Sequence, residues 1–299
     1  MKAVTFDFWN TLIHADSGGI GSRRLTAWLG LLAGEGFALD GDVVRSALRH
    51  GGQRFEDSWK QNQYYGAAEA VEDILAHLGI EVSVEVEEQL LASITDPDPA
   101  HDPQPAPHIG DALEGLRSAG VRIGIICDVG LTPSRTLRRH LEGHGLLGYF
   151  DHWSFSDEVG TFKPDPAIFD HALTGLGGID PADAAHVGDL RRTDIAGAKQ
   201  QGIFAVRYAG IYDDPGAADE GTDVIDGDAV ITDHADLLAA AAATLRIRAT
   251  SASTSSRRTV AATCTVPSPM STISGRRSAV STTTSVRASG SAPAASRSS

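Results

Sequence analysis

Two cysteines in 299 residues, Cys127 inside an apolar run and Cys264 in a Ser/Thr-rich stretch, are poorly placed to form a structural bridge. That scarcity fits a reducing compartment. No run of 18 apolar residues occurs, so no segment reads as a helix spanning a bilayer. The start, Met1-Lys2-Ala3-Val4-Thr5-Phe6-Asp7, puts a carboxylate where a signal peptide needs unbroken apolar residues. A soluble, cytoplasmic protein is the expectation. Basic charge is scarce too. Eight of the 25 basic residues are arginines within residues 246–299, a stretch with no Lys, Asp or Glu. The other 17 face 39 acidic side chains, a net charge of −22 over residues 1–245. So acidic a body repels nucleic acid and anionic membranes, and neither is an expected partner.

What is present is enough apolar content, 41%, for a sizeable core. Short apolar runs alternate with helix-like segments. Val4 to Phe8, Val121 to Cys127, Trp153 to Phe155, Ala184 to Val187 and Phe204 to Tyr208 read as strands. Gly110 to Ser118, Thr132 to Glu142, Pro166 to Leu176 and Thr193 to Gln201 read as helices, with Pro133 and Pro166 at first-turn positions and Gly177 and Gly202 at exits. This α/β order predicts a parallel sheet with helices on both faces. Residues 15–105 break the rhythm, with helical periodicity near 22–33, 41–60, 67–78 and 84–94 and a Pro-rich connection from Asp96 to Pro107. They predict a helical insertion into a core made of residues 1–14 and 106–245. Gly18, Gly19 and Gly21 are expected to form a hinge before it. Residues 246–299, rich in Ser, Thr, Ala and Arg, are expected to be a disordered tail.

Four clusters carry candidate chemistry. Asp7 follows the first apolar run, in Phe6-Asp7-Phe8-Trp9-Asn10-Thr11. Open α/β sheets bind ligands at the carboxyl ends of their strands, although an Asp there also caps turns. Cys127-Asp128-Val129-Gly130 ends the next long run, where a polar side chain reaches an oxyanion; a buried cysteine is equally a small hydrophobe. Lys163 precedes Pro164-Asp165-Pro166, stiff enough to hold its ammonium against a carboxylate, unless it is simply a surface lysine. Gly188-Asp189 ends a buried strand and Asp194 opens the next helix, carboxylates of the type magnesium prefers or else helix caps. His140 and His144 share a helix face, and residues 213–228 are acidic, but neither completes a metal motif; both are expected to be solvated surface.

Taken together, in this order and at strand ends, the clusters resemble the haloacid dehalogenase (HAD) superfamily over residues 2 to about 210. The resemblance implies a Rossmann-like sheet with an inserted helical cap of the C1 type. It implies that Asp7 is a covalent nucleophile and that Lys163 neutralises charge beside it. Mg²⁺ would be held by Asp7, Asp189 and the backbone carbonyl of Trp9, with Asp194 in support. Trp9, Thr11, Cys127 and Asp128 are the expected substrate contacts. The expected reaction is hydrolysis of a small phosphorylated metabolite through an aspartyl-phosphate.

Two positions depart from the family pattern. Position 9, normally a second Asp that donates and accepts protons, is Trp9, whose indole N–H is a donor only. Position 127, normally Ser or Thr, is Cys127, a weaker donor. An aromatic residue two places after the nucleophile also marks the dehalogenases, which makes a haloacid dehalogenase the first alternative; the Gly188-Asp189 metal site favours phosphoryl chemistry. A low-turnover binding or regulatory protein is the second alternative. Arg23, Arg24, Arg54 and Trp59 of the insertion are further candidates for substrate contact.

Overall fold

The computed structural model of the chain describes residues 1–15, 17–95, 103–216 and 225–240. These all fall in one unit, Met1–Ser251. The tail from residue 246 and residues 96–102 of the Pro-rich connection lie outside the described residues.

Six strands form one parallel sheet: β1 (Ala3–Phe6), β4 (Arg122–Cys127), β5 (His152–Phe155), β6 (Ala184–Gly188), β7 (Phe204–Tyr208) and β8 (Ala229–Ile231). Their spatial order is β5-β4-β1-β6-β7-β8. The chain therefore builds outward on one side of β1, then crosses to the other. Such a switch point opens a crevice at the carboxyl ends of the strands, and β1 lies at its centre. Val4 and Phe6 of β1 are fully buried, as expected for a central strand covered on both faces.

Each face has its own apolar layer. On one, α5 (Ile109–Ser118) and α6 (Ser134–Gly143) lay Leu113, Leu116, Leu137 and Leu141 against the strands. On the other, α8 (Pro166–Gly175) and α9 (Ala196–Gln200) contribute Ile168, Phe169, Leu173 and Ala198, with Val159 of the short α7 (Ser156–Val159) packed beside them. Helix α8 starts as its sequence dictates. Asp165 caps it by accepting from the Ala167 N–H at 2.8 Å, Pro166 takes the first turn, and Gly177 follows the exit with φ +101°. Phe169 is wholly buried, and its truncation to Ala would cost about 3–5 kcal/mol.

Between β1 and α5 the described residues form four helices, α1 (Ser17–Gly34), α2 (Gly41–Lys60), α3 (Ala67–Leu78) and α4 (Val84–Thr95). They share a separate core of Trp28, Leu32, Val44, Val71, Ile74 and Leu90. The Trp28 indole donates to Ser93 Oγ at 3.0 Å, which satisfies its one polar atom. At the base of this segment β2 (Ile13–His14) pairs antiparallel with β3 (Gln104–Pro105) and brings the two connections together. Among the described residues no helix is long and apolar enough to cross a membrane.

Several sequence expectations need correction. Gly18, Gly19 and Gly21 do not form a hinge loop; they lie within α1, which starts five residues before the expected 22. The helix expected over 193–201 is a π-type turn, Arg191–Ile195, followed by α9, because Asp194 turns inward to bond Leu190 N–H at 3.0 Å. Strand β8 was not expected at all, being three residues long with Val230 exposed. His140 is buried rather than solvated, and His144 Nε2 lies 2.7 Å from the Pro103 carbonyl. Asp213 is exposed, as expected of the acidic run, but described residues of that run also form ion pairs and hydrogen bonds. Asp213 and Asp226 neutralise the buried Arg207, while Asp214 accepts the Arg191 N–H at 2.7 Å.

Candidate active site

Asp7 is the first residue beyond β1, and its N–H donates to the Val187 carbonyl of β6 at 2.8 Å. That bond fixes the direction in which its side chain leaves the sheet. Lys163, brought in by the loop before α8, donates its ammonium to Asp7 Oδ1 and to Asp194 Oδ1, both at 2.5 Å. Asp189 follows β6, and Asn10 Nδ2 donates to its Oδ2 at 3.3 Å. Asn10 reaches it from a left-handed backbone conformation, φ +55°, which Asn tolerates better than most residues. Carboxylate oxygens of Asp7, Asp189 and Asp194 all lie within 4.8 Å of one another, and all three residues are buried.

Asp194 is the hub of this cluster. One oxygen accepts from Lys163 and, at 3.1 Å, from His186 Nε2; the other accepts the Leu190 N–H. Burial pushes the His186 pKa down, so the imidazole is neutral. The tautomer that serves both neighbours has its proton on Nε2, with Nδ1 accepting from the Thr5 hydroxyl at 2.9 Å. Only glycine fits at 188, since a Cβ there would lie 2.3 Å from Asp194 Cγ.

The charges are unevenly held. Burial alone would raise the Asp194 pKa, but Lys163 and His186 hold it well below the usual carboxylate range. Burial would lower that of Lys163, yet Asp194 and Asp7 raise it well above normal, so the ammonium persists. For Asp7, burial wins over Lys163 and pushes its pKa up to about 7. Burial, then Asp7 and Asp194, pushes Asp189 up to about 8. One lysine thus faces three buried carboxylates. That excess of negative charge on hard oxygen donors fits a divalent cation of the magnesium type. The turn after Asp7 is closed by bonds from Asn10 N–H to the Ile13 carbonyl and from Ile13 N–H to the Phe8 carbonyl.

A cavity of about 560 Å³ opens above Asp7, Lys163 and Asp189, with Trp9, Asp128 and Thr193 on its walls. Helix α2 closes part of it with Phe55 and Trp59. The Trp59 indole N–H donates to Asp128 Oδ2 at 3.2 Å, and the Arg192 guanidinium lies 4.0 Å from the centre of its ring. Asp128 Oδ1 accepts the backbone N–H of Lys163 at 2.9 Å.

Of the residues singled out in the sequence, Asp7, Trp9, Asp128, Lys163 and Asp189 meet at this cavity, and Asp194 lies directly behind it. Thr11 and Cys127 do not line it. Both are fully buried; the Thr11 carbonyl accepts from His234 Nε2 at 2.8 Å, and burial raises the Cys127 thiol pKa well above normal. Among the four insertion candidates, Trp59 lines the cavity, whereas Arg54 pairs with Asp73 at 3.1 Å and Arg23 and Arg24 are not on its walls. Sequence reasoning missed Asn10, Thr5, His186 and Arg192 as partners of this site. Only the adjacency of Asn10 and His186 to the motifs hinted at them.

A family model for haloacid dehalogenase-like hydrolases matches residues 1–202. The chain belongs to this family. Among curated relatives of this HAD hydrolase, haloacid dehalogenase-like hydrolase domain-containing protein 3 of Bos taurus is 37% identical over 98 residues, 33% of this chain and 37% of that protein. The pyrimidine 5'-nucleotidase YjjG of Escherichia coli (strain K12) is 37% identical over 99 residues, 33% of this chain and 42% of that protein. The chain thus spans well under half of the length of either relative. Among solved structures, a HAD phosphatase from Thermococcus onnurineus aligns with 79% of this chain and 96% of its own at 25% identity, with a TM-score of 0.52. A 2-haloacid dehalogenase from Pseudomonas syringae pv. Tomato DC3000, at 24% identity and a TM-score of 0.54 over 81% of this chain and 98% of its own, shares the fold.

Proposed function

We propose that this HAD hydrolase is a Mg²⁺-dependent phosphatase acting on a small phosphorylated metabolite, with residues 15–105 as a cap over a core of residues 1–14 and 106–245. The observation that carries the reading is the Lys163 ammonium bonded to both Asp7 and Asp194 while Asp189 joins the same oxygen cluster. The curated relatives include phosphatases and a nucleotidase, which supports phosphoryl chemistry.

Phosphoryl transfer asks a protein for charge neutralisation and in-line positioning. In this reading an Asp7 oxygen attacks phosphorus, the leaving oxygen departs toward the cavity, and an aspartyl-phosphate forms on Asp7. Lys163 stays protonated and neutralises charge at Asp7 and the incoming phosphoryl oxygens. Asp194 fixes Lys163, and His186 with the Leu190 amide fixes Asp194. Asn10 orients Asp189. Thr193 Oγ, buried on the cavity wall without a partner, is a donor for a phosphoryl oxygen. Asp7, Asp189, Asp194 and the Trp9 carbonyl would hold Mg²⁺. When bound, the ion supplies the positive charge that lets an anionic ester approach an anionic nucleophile. Water then attacks the aspartyl-phosphate and frees Asp7.

The test is release of phosphate from p-nitrophenyl phosphate and acyl phosphates with Mg²⁺ and with EDTA. Mg²⁺-dependent turnover that Asp7→Asn abolishes is expected. Metal-independent chloride release from 2-chloropropionate with no phosphate release would instead establish a dehalogenase. Ligand binding that survives Asp7→Asn, with no turnover of any phosphate ester, would establish a binding protein.

A further inference from the structure

The proposed phosphatase chemistry needs a proton for the leaving oxygen and a base for the attacking water, and Trp9 supplies neither. Among the described residues the carboxylates that line the cavity are Asp7, Asp189, Asp128 and Glu56. Asp7 is the nucleophile, and Asp189 belongs to the metal cluster. Glu56 is an exposed side chain of α2, 3.9 Å from Lys60 Nζ. Asp128 is placed otherwise. Strands β1 and β4 pair Ala3 with Arg122 and Phe6 with Ile125. Asp128 follows β4, the strand paired with β1, and lines the same cavity as Trp9. Its carboxyl is also anchored to the nucleophile's own partner. Oδ1 accepts the backbone N–H of Lys163, the residue whose ammonium bonds Asp7.

We propose that Asp128 is the general acid and base of this enzyme, a carboxyl just past the end of β4, the strand next to β1, standing in for the one that Trp9 replaces. This rests on the phosphatase reading. In the first half-reaction an Asp7 oxygen bonds phosphorus as the bond to the leaving oxygen breaks, and the Asp128 carboxyl passes its proton to that oxygen, releasing an alcohol. In the second, a water oxygen bonds phosphorus and a water proton returns to the Asp128 carboxylate. The bond from phosphorus to Asp7 breaks, leaving inorganic phosphate and both side chains as they began. The hydrogen bonds from Lys163 N–H and Trp59 Nε1–H occupy one lone pair on each oxygen and hold the carboxyl still. The charged groups bearing on it are Lys163, Arg192, Asp194 and Asp7. Burial raises its pKa above the ordinary carboxylate range, against the lowering by Lys163, which favours a proton donor.

Leaving-group dependence separates this role from a structural one. The full chain with Mg²⁺ is assayed on p-nitrophenyl phosphate, whose phenolate leaves without help, and on phenyl phosphate, whose phenol has a pKa of about 10 like that of tyrosine. Asp128→Asn is expected to lose about 10²-fold on phenyl phosphate and far less in the first release of p-nitrophenol. Phosphate should accumulate on Asp7 in that variant, seen by mass spectrometry. Asp128→Glu, which keeps the carboxyl, should recover much of the phenyl phosphate rate and guards against simple misfolding of the Asn variant. Equal losses on both substrates, unrelieved by Asp128→Glu and without a trapped intermediate, overturn the proposal. So does a leaving-group-dependent loss in Glu56→Gln instead, or a wild-type rate on phenyl phosphate already as low as the variant's. A wild-type protein that releases nothing from either ester and carries no label on Asp7 overturns the phosphatase reading itself, and this proposal with it.

Discussion

Lys163 Nζ and Asp7 Oδ1 are 2.5 Å apart, although 156 residues of sequence separate them. Lys163 is 2% exposed and Asp7 7%, so this ion pair is formed where water contributes little screening. The burial makes the two groups depend on each other, and several measurable consequences follow from that dependence.

Lys163→Met keeps most of the apolar stem and removes the charge. Breaking a buried ion pair from one side typically costs about 3–5 kcal/mol, because the remaining carboxylates lose their partner. Urea unfolding of the metal-free variant should show a loss of that order, and turnover should drop by about 10²-fold or more. Saturating Mg²⁺ is expected to restore part of the stability and little of the activity. A variant as stable as the wild type in EDTA would contradict the geometry.

The pH dependence of stability has a definite sign. Asp7 and Asp189 have folded pKa values of about 7 and about 8, against about 3.9 for an unfolded Asp. Between these values the folded state binds more protons than the unfolded one, so stability falls as pH rises. Their contribution is fully present below about pH 4 and is lost as pH passes through 7 to 8. Asp194, depressed instead, acts only below the unfolded value and leaves this window alone. The buried His186 and His234, whose pKa values burial lowers, act in the opposite sense below about pH 6.5, so the decline is read above it: urea melts in EDTA at pH 7, 8 and 9 should show declining stability, and Mg²⁺ should flatten the decline. Stability that rises across this range without metal would sink the argument.

Gly188→Ala adds one methyl group, 2.3 Å from Asp194 Cγ and 2.8 Å from its Oδ1. Asp194 has to move, and Lys163 moves with it. A displacement of this kind near the reacting groups costs about 10²-fold in rate. Steady-state kinetics and calorimetric titration of Mg²⁺ should both register the loss. Unchanged kcat/KM together with unchanged Mg²⁺ affinity would show that the 184–194 segment is looser than its packing implies.

Trp59→Phe keeps a ring beneath Arg192 but deletes the N–H that holds Asp128. One such bond contributes about 1 kcal/mol. A several-fold fall in kcat/KM on phenyl phosphate is expected, larger in Trp59→Ala, with the four-helix core unaffected because Trp59 is not part of it. If both variants matched the wild type, the contact between α2 and the cavity would have no functional weight.

Much of this was legible beforehand because it is local. An apolar run followed by Asp marks a strand end, and Asp165-Pro166 marks a helix start, so β1, β4, β6, β7 and α8 emerge from short windows. What was not legible depended on partners far along the chain. His140 reads as solvated from its own neighbours and is buried by the packing of α6. Strand β8 carries too few apolar residues to announce itself and forms because β7 offers it an edge. Thr11 and Cys127 sit inside the motifs yet are fully buried and do not line the cavity, which spacing alone does not reveal.

The sequence by itself determined the α/β alternation, the helical insertion, and Asp7, Lys163, Asp189 and Asp194 as the residues of interest, since each is set by its immediate neighbours. The tertiary structure decided how they act. Strand order placed β1 between β4 and β6, which gathered the carboxylates of Asp7, Asp189 and Asp194, from two distant segments, around one lysine. Burial then lifted Asp7 and Asp189 while Lys163 and His186 held Asp194 down. The same order brought Asp128 to the cavity that Trp9 lines, where the Trp59 indole donates to it. Charge balance and proton access are properties of distance and desolvation, and those exist only once the chain is packed.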